Sequence, residues 1–305
     1  MSDRIMSKAL IFRLHRWVAL AFAAPLLAVI GSGLVLSLEP ALKAAAPAGT
    51  VTLARLEAVL DAAGPAARNA ALSVQAHAGT VTLGGRGAAQ VFDLATATPA
   101  APGPWPGIFA TARRLHETLL LDLGWLVTVS TAALILLAPL GLLLGWPRFR
   151  NTVGGWHRAT GWLLLPLLVG SPLTGLALAL GLSFAAPAVP AAGPAPELRT
   201  TLRWVAERHG LDGLDWVRPR GGATTLRVLD ASGTSMVYRV GAEGVVAQPR
   251  PWMRVLHEGT WLGIAGSVAN LVASAALLGL LGTGVWIWLR RIRLKRRARA
   301  AALAA

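Results

Sequence analysis

Four long stretches of this chain carry no charged residue: 17–38, 123–147, 159–196 and 259–289. Within the third, residues 160–184 are the strongly apolar part. An amphipathic soluble helix returns a polar position about every 3.6 residues, and these stretches have no such face. Each is long enough to supply the roughly 20 apolar residues that cross a bilayer core as a helix. The pattern predicts four transmembrane helices. Trp17, Trp125, Trp146, Trp156, Trp162, Trp252, Trp261, Trp286 and Trp288 stand at or near the stretch ends, where interfacial belts favour this amphipathic ring. Pro25, Pro139, Pro166 and Pro172 fall inside, which membrane helices tolerate. The first stretch follows a basic N-terminus and precedes Ala44-Ala45-Ala46. It is longer than the roughly 7–15 residues of a signal-peptide core, and is expected to be retained.

The polar segments between these stretches have a different rhythm. Residues 52–63 read as a helix, followed by alternating runs near 71–77, 80–84 and 89–95. Residues 197–208 read as a helix, followed by runs near 214–218, 224–229 and 235–240. Gly84-Gly85 and Gly221-Gly222 are turn signals. Residues 99–106 and 185–196 are Pro/Ala linkers. The expected fold is an α-helical integral membrane protein. Four transmembrane helices form a duplicated two-helix unit, with two small α+β outer domains. The expected order is 1–38 (N-terminus and first span), 39–115 (outer domain), 116–147 (second span), 148–159 (loop), 160–184 (third span), 185–255 (outer domain), 256–289 (fourth span) and 290–305 (basic tail).

Charge adds direction. The 305 residues carry 29 Lys/Arg against 14 Asp/Glu, a net +15. That balance suggests a nucleic-acid partner, but 54% of residues are hydrophobic and only 14% charged. A soluble domain carries about 25% charged residues, so a solvated polyanion-binding face is not expected, and no nucleic acid is expected as a partner. The N-terminus to Arg16, the loop 148–158 and the tail 290–299 hold nearly half of the basic residues and a single acid, Asp3. In the rest of the chain basic and acidic residues nearly balance. The positive-inside rule then puts both termini and the middle loop in the cytoplasm. The two long loops face outward, into the periplasm if the membrane is a bacterial inner membrane. The absence of cysteine excludes disulfides, thiolate zinc and iron–sulfur sites. No dinucleotide fingerprint, P-loop, G-x-S-x-G or H-E-x-x-H motif is present.

The chain repeats itself. Leu14-His15-Arg16 with Ser32-Gly33-Leu34 matches Trp156-His157-Arg158 with Thr174-Gly175-Leu176. Gly33 follows His15 at the same spacing as Gly175 follows His157. Before the second and fourth stretches, Arg113-Arg114-Leu115-His116-Glu117 matches Arg254-Val255-Leu256-His257-Glu258. The offset from His15 to His157 agrees with that from His116 to His257 to within a single position. With the topology above, His15 and His157 stand at the cytoplasmic end and His116 and His257 at the outer end. Two imidazoles from facing helices can ligate a b-type haem, inside a four-helix bundle. Arg16, Arg158, Arg113 and Arg254 stand close in sequence to these histidines and could pair with propionates. Two haems b, one per leaflet, would form an electron wire. An interfacial His beside Arg also serves as a plain membrane anchor. His77 and His209 match no repeat position and are read as solvated or locally bonded.

These motifs, in this order, make the chain resemble the PepSY-associated transmembrane proteins, also known as PiuB-like iron-regulated membrane proteins. The resemblance covers about 10–290. It implies PepSY-like outer domains and, from members that are FoxB-type siderophore reductases, two haems ligated by His15 with His157 and by His116 with His257. It further implies an oxidoreductase passing electrons from a cytoplasmic donor or quinol to ferric iron in a siderophore. PepSY domains elsewhere resemble protease propeptides. The alternative is therefore a non-enzymatic membrane-anchored protein whose outer domains bind or restrain a peptidase or envelope partner. A transporter fits least, since no ionisable residue lies inside any span.

Overall fold

The computed structural model describes residues 7–84, 89–147, 150–220, 223–230 and 232–304. Asp3, Gly85, Gly221 and Gly222, used above, lie outside the described residues, as does the start of the basic loop at 148–149. The chain divides into a helical unit (1–36, 112–182 and 269–305) and a sheet unit (37–111 and 183–268).

The first helix, α1 (Lys8–Ala21), is capped by the Ser7 hydroxyl, which accepts from the Leu10 amide. It breaks before α2 (Ala23–Leu36). Proline lacks an amide N–H and clashes with the carbonyl four residues back. Pro25 therefore ends α1 at Ala21. After α3 (Glu39–Ala44), α4 (Leu53–Ala63), the strands β1 (Leu72–Gln75), β2 (Thr80–Leu83) and β3 (Gln90–Asp93), and α5 (Pro104–Thr118), the chain enters α6 (Gly124–Leu143). The second half repeats the plan. The Thr152 hydroxyl caps α7 (Val153–Leu163), which bends by 66° into α8 (Leu165–Ala179). Pro166 stands at the start of α8, as Pro25 stands in the first turn of α2. Then come α9 (Leu198–His209), β4 (Leu214–Arg220), β5 (Ala223–Leu229), β6 (Ser235–Gly241), β7 (Gly244–Ala247), α10 (Trp252–Glu258) and α11 (Ile264–Ala304).

Among the described residues three helices are long and apolar enough to cross a membrane: Ala23–Lys43, Gly124–Leu143 and Ile264–Leu303. The bent pair α7–α8 makes a fourth if it crosses as one span. The protein is a multi-pass α-helical membrane protein. In the helical unit α6 packs against α1, α2 and α8. Leu26, Ile30, Leu168 and Leu277 bury each other there, with Leu134 against them. Leu27, Leu136, Leu163 and Leu173 stay exposed, as lipid-facing side chains do.

The two α+β regions do not close as separate domains. They share one seven-stranded antiparallel sheet in the order β3-β2-β1-β4-β5-β6-β7. The join is β1 to β4, through Leu72 opposite Val217 and Ser73 opposite Trp216. One core serves both halves, with Val59, Leu72 and Val81 packed in the same cluster as Leu202, Val217 and Leu226. Helices α4 and α9 lie side by side, linked by Arg203 to Glu57 at 2.7 Å and by Arg199 to Asp61. The fourth strand of the second half, β7, was missed by the sequence pattern. Its residues, Gly244-Val245-Val246-Ala247, carry no polar position to alternate with.

Candidate functional site

The repeat histidines of the helical unit each meet a glycine or a hydroxyl of a neighbouring helix. His15 on α1 rests over Gly141 of α6, where a Cβ would come within 3.6 Å of its Cε1. His157 on α7 rests in the same way over Gly284 of α11, again at 3.6 Å. Its Nδ1 lies 2.8 Å from the Thr283 hydroxyl. That hydroxyl donates to the Gly279 carbonyl, so the ring N–H donates to it. His116, in the last turn of α5, donates from Nδ1 to the Val29 carbonyl at 2.8 Å, with the Ser32 hydroxyl at 3.3 Å. A Cβ on Gly33 would stand 3.2 Å from its Cε1. The first copy of the repeated signal, Ser32-Gly33, is thereby explained. Serine bonds back to its own helix at Ala28 and Val29, and glycine leaves room for the imidazole. His257 closes α10 in the sheet unit. Gly141 and Gly284 were not singled out from the sequence. Their signal was a small residue on the helix that each histidine must cross.

In the sheet unit the charged residues form a chain of alternating sign. Lys43 on α3 meets Glu39 at 2.9 Å and Asp215 at 2.8 Å. Asp215 meets Arg227 through both Nε and Nη2 of the guanidinium. Arg227 continues to Glu258 of α10 at 3.2 Å, and Glu258 to Arg254 at 3.1 Å. A β-bulge makes this possible. The register of β4 against β5 shifts between Leu214 and Trp216, so Asp215 is the extra residue and Trp216 moves to the face opposite the core. Asp215 is 4% exposed. Burial alone would push its carboxyl up, but Lys43 and Arg227 outweigh burial and hold it below the ordinary value. Arg227 is held above its ordinary value despite burial, by Asp215 and Glu258. His77 lies beside Lys43, Glu39 and Asp215. Burial first, and then Lys43, lower its pKa. Both of its ring nitrogens are buried without a partner among the described residues.

The opposite face of the sheet is polar and half-exposed: Thr82, Ser73, Trp216, Arg218, Thr225 and Arg239. At its centre the Trp216 ring carries the guanidinium of Arg218 at 4.5 Å and that of Arg227 at 5.8 Å. A cavity of about 320 Å³ lies on the core side, beside Asn69, Pro194, Pro196, Thr201 and Thr224.

Among known families, the PepSY-associated TM region matches residues 12–291. The chain belongs to the PepSY-associated TM family. No curated protein matches it. Membership in this family carries no further support for a FoxB-type siderophore reductase. The structure also corrects the di-haem reading. Among the described residues no group of three or more His, Cys, Asp or Glu could hold a metal ion. His157 and His116 each bond a neighbouring helix through Nδ1. The two haems b are therefore withdrawn, and with them the electron wire, the oxidoreductase activity, the iron and siderophore assignment and the donor, quinol or ferric-siderophore partners. The arginines assigned to propionates divide. Arg254 is paired with Glu258, Arg158 donates from Nε to the Gly154 carbonyl, and Arg113 is engaged in the protein. Arg16 Nε is buried without an acceptor among the described residues. In the sheet unit each carboxylate of the chain from Glu39 to Glu258 faces a cation. Such groups fasten elements together; they are not poised to pass a proton.

Proposed function

We propose that this PepSY-family protein is a membrane-anchored binding protein without catalytic activity, whose sheet unit holds or restrains a peptidase or another envelope protein. The reading extends to topology. Residues 39–115 and 185–255 face the periplasm of a bacterial inner membrane, and 148–159, 290–305 and both termini lie in the cytoplasm. The excess of basic residues on the cytoplasmic segments supports this orientation.

The observation that carries the proposal is the Trp216 cluster. It sits on β4, the middle strand of seven, on the sheet face away from the shared core. Trp and Arg are the residues most enriched where alanine substitution costs binding most, near the centre of an interface. A continuous sheet gives them a rigid support, and the family's likeness to protease propeptides gives the class of partner.

The test is site-specific photocrosslinking in cells. Photoreactive residues at Thr225 and Arg239 are expected to trap one envelope protein, identified by mass spectrometry. Trp216→Ala is expected to weaken the purified complex by roughly 30-fold or more, the effect of about 2 kcal/mol at a hot spot. If neither position crosslinks to protein, the reading fails. A purified peptidase partner whose activity drops on adding the chain would define the restraint directly.

A further inference from the structure

The helical unit has a second charged feature that partner binding leaves unexplained. On α1 and α11 two guanidiniums share one aromatic ring. Arg16 Cζ stands 5.9 Å from the centroid of Phe12, and Arg291 Cζ stands 5.0 Å from it. Arg16 also lies over Trp17 at 5.2 Å. Two like charges are thus held within the sum of those ring distances, at the end of the apolar part of α11. The Arg16 Nε is buried and finds no acceptor among the described residues. A buried N–H without a partner carries a desolvation penalty, larger when it is charged.

No described acid of the helical unit answers this charge. The segments 7–36, 150–182 and 269–304 contain no Asp or Glu. The unit's described acids, Glu117 and Asp122, precede α6. The His15 end of the unit is near Gly141, at the far end of α6. The helical rise from Gly124 to Gly141 places the acids about 25 Å away, some three Debye lengths at physiological salt. Meanwhile Arg290, Arg293 and Lys295 flank Arg291 on the same helix and add to the local field.

We propose that Arg16 and Arg291, framed by Phe12, form a binding site for the phosphate of an anionic phospholipid headgroup. A phosphate offers several acceptor oxygens in the geometry that guanidinium forks match. The ends of membrane helices stand at the depth of lipid phosphates. Phe12 and Arg291 are exposed beside the apolar part of α11, so an acyl-linked phosphate is the occupant. This inference is independent of the partner reading.

The experiment uses the full chain in detergent. Native mass spectrometry follows retention of phosphatidylglycerol, phosphatidylcholine and inorganic phosphate, each added alone. Phosphatidylglycerol is expected to stay bound where phosphatidylcholine does not. Arg16→Gln with Arg291→Gln is expected to lower retention about tenfold or more. Arg296→Gln with Arg297→Gln, on the outer part of the tail, is expected to change it less than about twofold. Arg291 is exposed, so Arg291→Gln alone keeps the packing and is expected to give about a threefold loss if the double variant unfolds. Equal retention of the two lipids overturns the proposal, as does equal loss in the outer variant. Retention of inorganic phosphate with no preference between the lipids would make it a free-anion site instead and also overturns it.

Discussion

Asp215 is a buried carboxylate with a cation on each side, Lys43 and Arg227. Removing its charge leaves both cations in a low-dielectric pocket, and breaking a buried pair this way costs about 3–5 kcal/mol. Asp215→Asn is therefore expected to lower the thermal midpoint of the sheet unit sharply, followed by tryptophan fluorescence. The pH dependence has a definite sign. The folded pKa of Asp215 lies below its ordinary value, so its contribution is complete above the unfolded value of about 3.9 and is lost as pH falls through the lower folded value. The gap between wild type and Asp215→Asn is expected to stay constant from about pH 5 to 8 and to close only in stronger acid. His77 behaves differently. Its folded pKa is also lowered, by burial and then Lys43, so the neutral ring is favoured. Stability is full above about pH 6.5 and declines below it, because the unfolded chain takes the proton more readily. His77→Leu removes two unsatisfied nitrogens. It is expected to be neutral or stabilising by about 1 kcal/mol, and to flatten the decline below about pH 6.5. His209, whose pKa is lowered by burial and then Arg208, adds a decline of the same sign. None of this was legible in the sequence. His77 matched no motif, and Asp215 sat in a run whose alternation gave no hint of an inserted residue.

At the scale of helices and strands the sequence was more informative. The uncharged stretches gave the apolar helices, and the alternating runs near 71–95 and 214–240 lie over six of the seven strands. What it did not give was the breaks. Pro139 and Pro172 are tolerated inside α6 and α8, but Pro25 and Pro166 stand where one helix ends and the next begins. Restoring an amide there should let the two arms straighten. Pro166→Ala is expected to lengthen the distance from residue 155 to residue 178 by roughly 6 Å, given arms of about 16 and 22 Å bent by 66°. Spin-label distance measurements check this, and an unchanged distance would assign the bend to packing. The glycines make a paired test. Gly31 has open space around it, whereas Gly33 lies under His116. Gly31→Ala is expected to gain up to about 1 kcal/mol from helix propensity. Gly33→Leu must displace the imidazole and is expected to cost about 1–3 kcal/mol, read from unfolding in mild detergent.

The whole molecule is organised by a sheet that neither half owns. From sequence alone the duplication suggested two small outer domains, because each half shows its own helix and strands. The join could not be read there. It is a two-pair contact between β1 and β4, which are separated along the chain by β2, β3 and every helix from α5 to α9. No local pattern encodes a partner that distant. Such a join predicts one cooperative transition. Leu202→Ala removes a fully buried side chain of the common core and is expected to cost about 2–5 kcal/mol. Fluorescent reporters placed in the first and second halves should lose signal at the same denaturant concentration. Arg203→Ala, whose partner Glu57 lies near the surface, is expected to cost under about 1 kcal/mol. The shared sheet also sets a timetable for biosynthesis. Strand β1 leaves the ribosome long before β4, and at about 5–20 residues per second it waits roughly 7–30 seconds with a bare hydrogen-bonding edge. During that interval the newborn first half is the most adhesive form the protein ever takes. Its assembly therefore depends on whatever shields that edge until the second half arrives.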